Sequence, residues 1–178
     1  SGSTGYVTAG SKLYAFDVGS IRGSSSQTEL WNVSLSGTGT RVVVVGSYAY
    51  IATDSSVNQM QIVDLSTRAI TNFSANNGLS GVDLYVDSDG TYAYLATAYE
   101  SGKNDVFIVD VSNKLSPQLV GSYSTNGMSP RGIVAVAANR AIVVGSGGAQ
   151  YQVLDTGNKA NPTICGSLTN PNGVTAIQ

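Results

Sequence analysis

A short apolar strand ending in aspartate recurs four times in this chain, and that recurrence limits the fold more than any other feature. The copies are Leu13-Tyr14-Ala15-Phe16-Asp17, Met60-Gln61-Ile62-Val63-Asp64, Val106-Phe107-Ile108-Val109-Asp110 and Tyr151-Gln152-Val153-Leu154-Asp155. Their aspartates stand 47, 46 and 45 residues apart. Self-similarity at a period in the forties, carried by short strands, marks radially repeated four-stranded sheets, which is the β-propeller architecture.

The unit is clearest in the third copy. Gly81 to Val86 reads as a first, inner strand, and Asp87-Ser88-Asp89-Gly90 as a tight turn. Tyr92 to Thr97 is a second strand, Val106 to Val111 a third and Gln118 to Tyr123 a fourth. Each run is β-branched or aromatic and bounded by Gly, Asn, Asp or Ser. Second strands recur at Gly5–Thr8, Ala49–Thr53 and Ala141–Val144, and fourth strands at Leu30–Val33, Ile70–Phe73 and Thr163–Gly166. Val42–Val45 and Val106–Val109 are apolar without alternation, which predicts strands buried on both faces. No stretch holds a helical period, so the expectation is an all-β chain with almost no helix.

The ends of the sequence suggest how a ring closes. Residues 5–35 begin at a second strand, and residues 173–178 read as a first strand. The expectation is one domain over residues 1–178, four four-stranded blades, with the C-terminal strand completing the first blade. The alternative is that two chains join in an eight-bladed ring, or that these residues are part of a larger propeller. The apparent oligomeric state is therefore monomer or dimer.

Composition narrows the partners. Net charge is −2 and the nine basic residues are scattered singly, so a run of phosphates has nothing to meet and nucleic acid is excluded as a partner. No apolar run approaches the ~18 residues that a membrane-spanning helix needs. The chain has no histidine and one cysteine, Cys165, so no internal disulfide can form and imidazole metal chemistry is absent. No cofactor is expected. Charged residues make up only 11%, a low share that suits extracellular β-proteins.

The strand Tyr92-Ala93-Tyr94-Leu95-Ala96-Thr97, then Val106-Phe107-Ile108-Val109-Asp110-Val111-Ser112-Asn113, then Pro117-Gln118-Leu119-Val120-Gly121 resembles the LVIVD repeat. The resemblance is good in the second and third copies and weaker in the fourth and first. It implies a β-propeller from a bacterial or archaeal surface or secreted protein, in some cases the head of a pilin-like protein. It carries over no catalytic residues.

Several residues invite a functional reading. Asp17, Asp64, Asp110 and Asp155 lie in four different blades, and each is expected to cap the turn that follows it. Asp87-Ser88-Asp89-Gly90 looks like the start of a calcium loop but reads better as a hairpin turn, so no metal site is assigned. Cys165 aligns with the apolar Val120 and is expected to be buried and inert. Asp83 interrupts an inner strand where Val43, Val134 and Thr175 stand in other copies. It is expected to face the central channel or to pair with Arg41 or Arg131. The loop from Ala98 to Asp105 exceeds what a hairpin needs and is the leading contact surface.

These observations favour a non-catalytic recognition or adhesion module outside the cell or on its surface. It would bind a protein or glycan through face loops, with Tyr99, Asn77, Asn126, Arg131 and Asp83 as the contact residues. One alternative is a structural head domain of a pilus or surface assembly. The other is a polysaccharide hydrolase or lyase, for which Asp83, Glu100 and Asp105 are the only acids at hand.

Overall fold

The computed structural model describes residues 3–19, 27–137 and 139–169, and these form fifteen strands with no helix. The first sheet is a three-stranded meander of β1 (Thr4–Ala9), β2 (Lys12–Asp17) and β3 (Glu29–Ser34). The second holds β4 (Gly39–Val45), β5 (Tyr48–Thr53), β6 (Met60–Asp64) and β7 (Ile70–Phe73). The third holds β8 (Gly81–Val86), β9 (Tyr92–Thr97), β10 (Val106–Asp110) and β11 (Gln118–Tyr123). The fourth holds β12 (Ser129–Val136), β13 (Arg140–Ser146), β14 (Tyr151–Asp155) and β15 (Thr163–Leu168). Every pairing is antiparallel between sequence neighbours, as in four successive propeller blades. The proposed C-terminal closing strand, 173–178, lies outside the described residues.

The repeated aspartates set the turns after the third strands. Gly19 N–H donates to Asp17, Ser66 N–H to Asp64, Ser112 N–H to Asp110 and Gly157 N–H to Asp155, each at 2.8 Å. One short carboxylate closes the same Asx turn in every blade. The segment Asp87–Gly90 is likewise a turn. Gly90 N–H donates to the Asp87 carbonyl at 2.8 Å, and Gly90 has φ +70°, which a side chain would strain.

The blades stack through three apolar seams. Leu13, Leu35, Ala49, Ile51 and Val63 join the first blade to the second. Tyr50, Met60 and Ile62 meet Leu84, Leu95, Phe107 and Val109 between the second and third. Tyr94, Val106 and Ile108 meet Ile133, Ala141, Val143 and Leu154 between the third and fourth. Among the described residues no such seam joins the fourth blade to the first. Among the described residues the four blades form an arc whose two end faces carry no neighbouring blade.

That arc corrects one expectation about burial. Val106 to Val109 are buried on both faces, but Val42 to Val45 are not, and Val44 is 41% exposed. β4 faces a first blade whose described part has no inner strand, so no described strand of that blade lies over Val44. Cys165 is also exposed rather than buried, with its thiol 3.3 Å from the Val153 carbonyl. It sits on β15, the outermost strand of an end blade, where repeat equivalence with Val120 does not bring an equivalent neighbour.

Candidate binding groove and inter-blade polar contacts

Two repeated polar positions tie the blades together. The first lies five residues before the repeat aspartate, at Gln59, Asp105 and Gln150, all buried. Gln59 Oε1 accepts the Ala75 N–H at 2.9 Å. Asp105 Oδ1 accepts the Thr125 N–H at 2.9 Å, and its Oδ2 lies 2.6 Å from the Thr125 hydroxyl. The Gln59 and Asp105 side chains each pin the linker that carries the chain to the next blade. Burial pushes the Asp105 carboxyl above its usual range, and the Thr125 hydrogen bonds oppose that shift.

The second position lies three residues before the aspartate. Gln61 Oε1 accepts the Ser36 N–H at 2.8 Å, and Gln152 Nε2 donates to the Thr125 carbonyl at 2.7 Å. Both glutamines reach back to the linker that enters their own blade and close the seam there. In the third blade this position is Phe107, which has no amide to offer.

The linker between the second and third blades is therefore not drawn in against the third blade as the others are. A groove of about 570 Å³ lies there, lined by Ala75, Asn76, Asn77, Gly78, Lys103, Asn104, Phe107, Leu119 and Ser122. Phe107 is its apolar floor and the half-exposed Leu119 one wall. The rim is polar and rigidly held. Asn77 Nδ2 donates to Thr97 Oγ1 at 2.8 Å and to the Asn104 carbonyl at 3.2 Å, while its Oδ1 accepts the Leu79 N–H at 3.0 Å. Asn104 Nδ2 donates to Ser122 Oγ at 2.7 Å. The Lys103 ammonium is 3.1 Å from Glu100 Oε2.

Of the residues expected to make contacts, Asn77 lines this groove. Tyr99 stands half-exposed in the neighbouring loop, whose later residues Lys103 and Asn104 do reach the groove. Asn126 is exposed on the next linker with φ +52° and takes no part in the lining. Arg131 is exposed, and its Nε donates to Ser146 Oγ at 3.3 Å rather than to Asp83.

Asp83 occupies a different repeat position from the one its spacing implies. A β-bulge between Gly81 and Asp83 places Asp83 opposite Ala96, and a matching bulge places Arg41 opposite Ala52. Asp83 is therefore equivalent to Arg41 and not to Val43. Gly81 allows the close approach at this bulge, because a Cβ there would sit 2.5 Å from the Gln59 carbonyl oxygen. The carboxylate bridges three blades. Oδ1 is 3.6 Å from Arg41 Nε and Oδ2 accepts the Ile133 N–H at 2.8 Å. Asp83 is 8% exposed, and burial raises its carboxyl against the opposing backbone hydrogen bonds and the Arg41 charge. It is a structural clamp of the inner strands.

The polar ties at 59 and 105 and the Gln–Phe–Gln alternation at 61, 107 and 152 were not anticipated from the sequence. Aligning the copies on their aspartates would have displayed both. The groove itself follows from the exception at Phe107.

The LVIVD repeat model matches residues 36–77 and 85–125, the second and third blades. No curated protein matches the chain. Solved structures share the fold at low identity. A Lactobacillus plantarum protein is 18% identical with a TM-score of 0.72, covering 93% of this chain and 51% of its own. A Desulfotomaculum acetoxidans protein of unknown function is 15% identical with a TM-score of 0.70, covering 96% and 54%. A Bacteroides uniformis protein, named as a candidate 6-phosphogluconolactonase, is 15% identical with a TM-score of 0.71, covering 92% and 50%. The chain spans about half the length of these structures.

Proposed function

We propose that this chain, an LVIVD-repeat β-propeller, is a non-catalytic recognition module that binds a surface glycan or protein in the groove between its second and third blades. The observation that carries the reading is Phe107 in place of glutamine. It leaves a groove beneath the linker, with an apolar floor at Phe107 and a rim of fixed amides from Asn77 and Asn104. Such a groove suits a ligand with one apolar face and several hydroxyl or amide groups, which describes a sugar ring or a polar peptide turn. A location outside the cell or on its surface is in keeping with the low charge and with the LVIVD resemblance.

Catalysis is disfavoured by how the acids are employed. Asp83 and Asp105 both accept backbone N–H groups and hold blades together. Glu100 is paired with Lys103 on the surface. None is poised as an acid–base pair across a cleft. The lactonase name of one structural neighbour belongs to a protein only 15% identical.

The test is binding to an array of immobilised oligosaccharides and surface-protein peptides. Saturable binding is expected, weakened at least about tenfold in Phe107→Gln, which restores the amide that closes the other seams, and in Lys103→Ala. Folding of both variants is checked by circular dichroism. Absence of saturable binding, or binding that ignores Phe107→Gln, would overturn the reading.

A further inference from the structure

We infer that the groove between the second and third blades takes an acidic polysaccharide, the carboxylate of a uronic acid sitting on Lys103 in place of Glu100. The inference rests on the recognition role proposed for that groove and narrows its ligand. Lys103 is the one formally charged residue of the lining, and no acid lines it. Its ammonium is held 3.1 Å from Glu100 Oε2, three residues earlier in the same loop, and the two side chains are 37% and 52% exposed. An exposed pair of this kind contributes little and exchanges readily for another carboxylate. The loop backbone holds both residues in place. Lys103 N–H donates to the Glu100 carbonyl at 3.1 Å, and Gly102 turns the chain with φ +82°. Glu100 thus occupies the cation as the carboxylate of a ligand would.

The rest of the lining is rich in donors. Asn77 commits its N–H groups to Thr97 and the Asn104 carbonyl, and its oxygen accepts the Leu79 N–H, so it positions the rim. Asn104 donates one N–H to Ser122 Oγ. That leaves the Ser122 hydroxyl proton and the second Asn104 N–H to meet a ligand. Asn76 accepts the Ser74 hydroxyl on its oxygen at 3.1 Å and keeps its amide N–H groups. With Lys103, these donors call for a ligand rich in oxygen acceptors. The side-chain carbonyl of Asn104 stands beside its spare N–H, a donor–acceptor pair that two neighbouring ring hydroxyls match.

The shape of the apolar part favours a sugar over a peptide. Phe107 is 3% exposed and Leu119 is 49% exposed, so the groove offers a narrow apolar strip rather than a socket for a large side chain. Peptide and protein recognition relies on aromatic or aliphatic anchors in desolvated pockets. A sugar ring lays one C–H face on a strip of this size and turns its hydroxyls to the rim. A neutral sugar leaves Lys103 to Glu100, whereas a uronic acid meets the donors and the cation together. The net charge of −2 gives the chain no general attraction for polyanions, so the preference is local to Lys103.

The experiment is calorimetric titration with oligomers of galacturonate, glucuronate and mannuronate, with their methyl esters, and with polyglutamate. At least one oligouronate should bind about tenfold or more tightly than its ester, which keeps the rings and loses the charge. Lys103→Gln should bind acid and ester alike, whereas Lys103→Arg should keep the preference. Glu100→Gln removes the competing carboxylate and should tighten oligouronate binding about threefold, leaving the ester unchanged. Lys12→Gln removes the same charge from the first blade and should change neither. These side chains are exposed or half-exposed, and circular dichroism checks that each variant folds. A preference for acid over ester that survives Lys103→Gln would overturn the inference. So would neutral sugars binding as tightly as the oligouronates, and if that binding is weakened in Phe107→Gln the groove reading still stands. Tighter binding of polyglutamate than of every oligouronate would replace the sugar by an acidic peptide. No saturable binding of these probes or of any on the array would overturn the inference and the groove reading together.

Discussion

The second and third blades differ from the first and fourth in what lies on their faces, although one strand pattern builds all four. β6 and β10 are buried at four successive residues, whereas β2 and β14 alternate between buried and half-exposed. The LVIVD repeat match covers the middle pair. A continuous apolar strand is thus a record of two neighbours, and an alternating one of a single neighbour. In this chain the burial pattern belongs to the position of a blade in the arc more than to the blade itself.

The sharpest way to break this comparison is to truncate equivalent positions. Ile108 and Val153 occupy the same register site in the third and fourth blades. Ile108→Ala should cost about 3–4 kcal/mol, because a fully buried seam residue leaves a cavity. Val153→Ala should cost about 1 kcal/mol or less, since no described blade packs on its face. Urea unfolding of both variants measures the difference. Equal losses would mean that the end face is packed as tightly as the middle seams.

A smaller effect is expected from the polar tie of the third blade. Asp105→Ala strands the buried Thr125 N–H and should cost about 2 kcal/mol. Asp105→Asn keeps an acceptor and should cost less. It should also change the pH profile. The Asp105 carboxyl is raised in the fold, so the folded chain retains a proton that the unfolded chain loses. Stability therefore falls as pH rises from about 3.8 to the raised value and is constant above it. Asp105→Asn should remove that slope. Asp64 and Asp110 act in the opposite sense. Hydrogen bonds in their turns lower their pKa, so their contribution is present above 3.8 and is lost as pH falls through the lowered values. Thermal unfolding between pH 2 and 7 separates the two.

Tyr50 sharpens the comparison from another side. Its buried hydroxyl has no hydrogen-bond partner among the described residues, and burial pushes the phenol up to about 12. Tyr50→Phe should stabilise the chain by about 1 kcal/mol, read as a higher unfolding midpoint. A destabilised variant would indicate that the hydroxyl is satisfied. At the small end, Cys165→Ser on exposed β15 should change stability by less than about 0.5 kcal/mol. The native thiol should react fully with a thiol reagent without unfolding.

The architecture was legible because it rests on local chemistry. Strand runs, turn residues and the capping aspartates each report on a few neighbouring residues, and Gly81–Val86, Tyr92–Thr97 and Gln118–Tyr123 form as strands with the expected bounds. What depends on another blade was not legible. The turn between Val86 and Ala93 is two residues longer than the one between Val44 and Ala49, so Asp83 pairs as Arg41 does and not as Val43, which residue spacing did not display. The exposure of Val44 and Cys165 depends on which neighbour is missing. Of the groove, Asn77 was anticipated as a contact residue, while Phe107 read as one more core residue of a repeated strand. Its meaning came from comparison with Gln61 and Gln152 across the copies.

Among the described residues the blades form an arc, packed on both faces in the middle and on one face at each end. Hydrogen exchange read by mass spectrometry tests it most directly, at a concentration low enough to hold single chains. Amides of β5, β6, β9 and β10 should exchange at least about tenfold more slowly than those of β2 and β14, because local opening follows the packing on each face. Uniform protection across all four blades at that dilution would contradict the account and indicate a ring already closed within one chain.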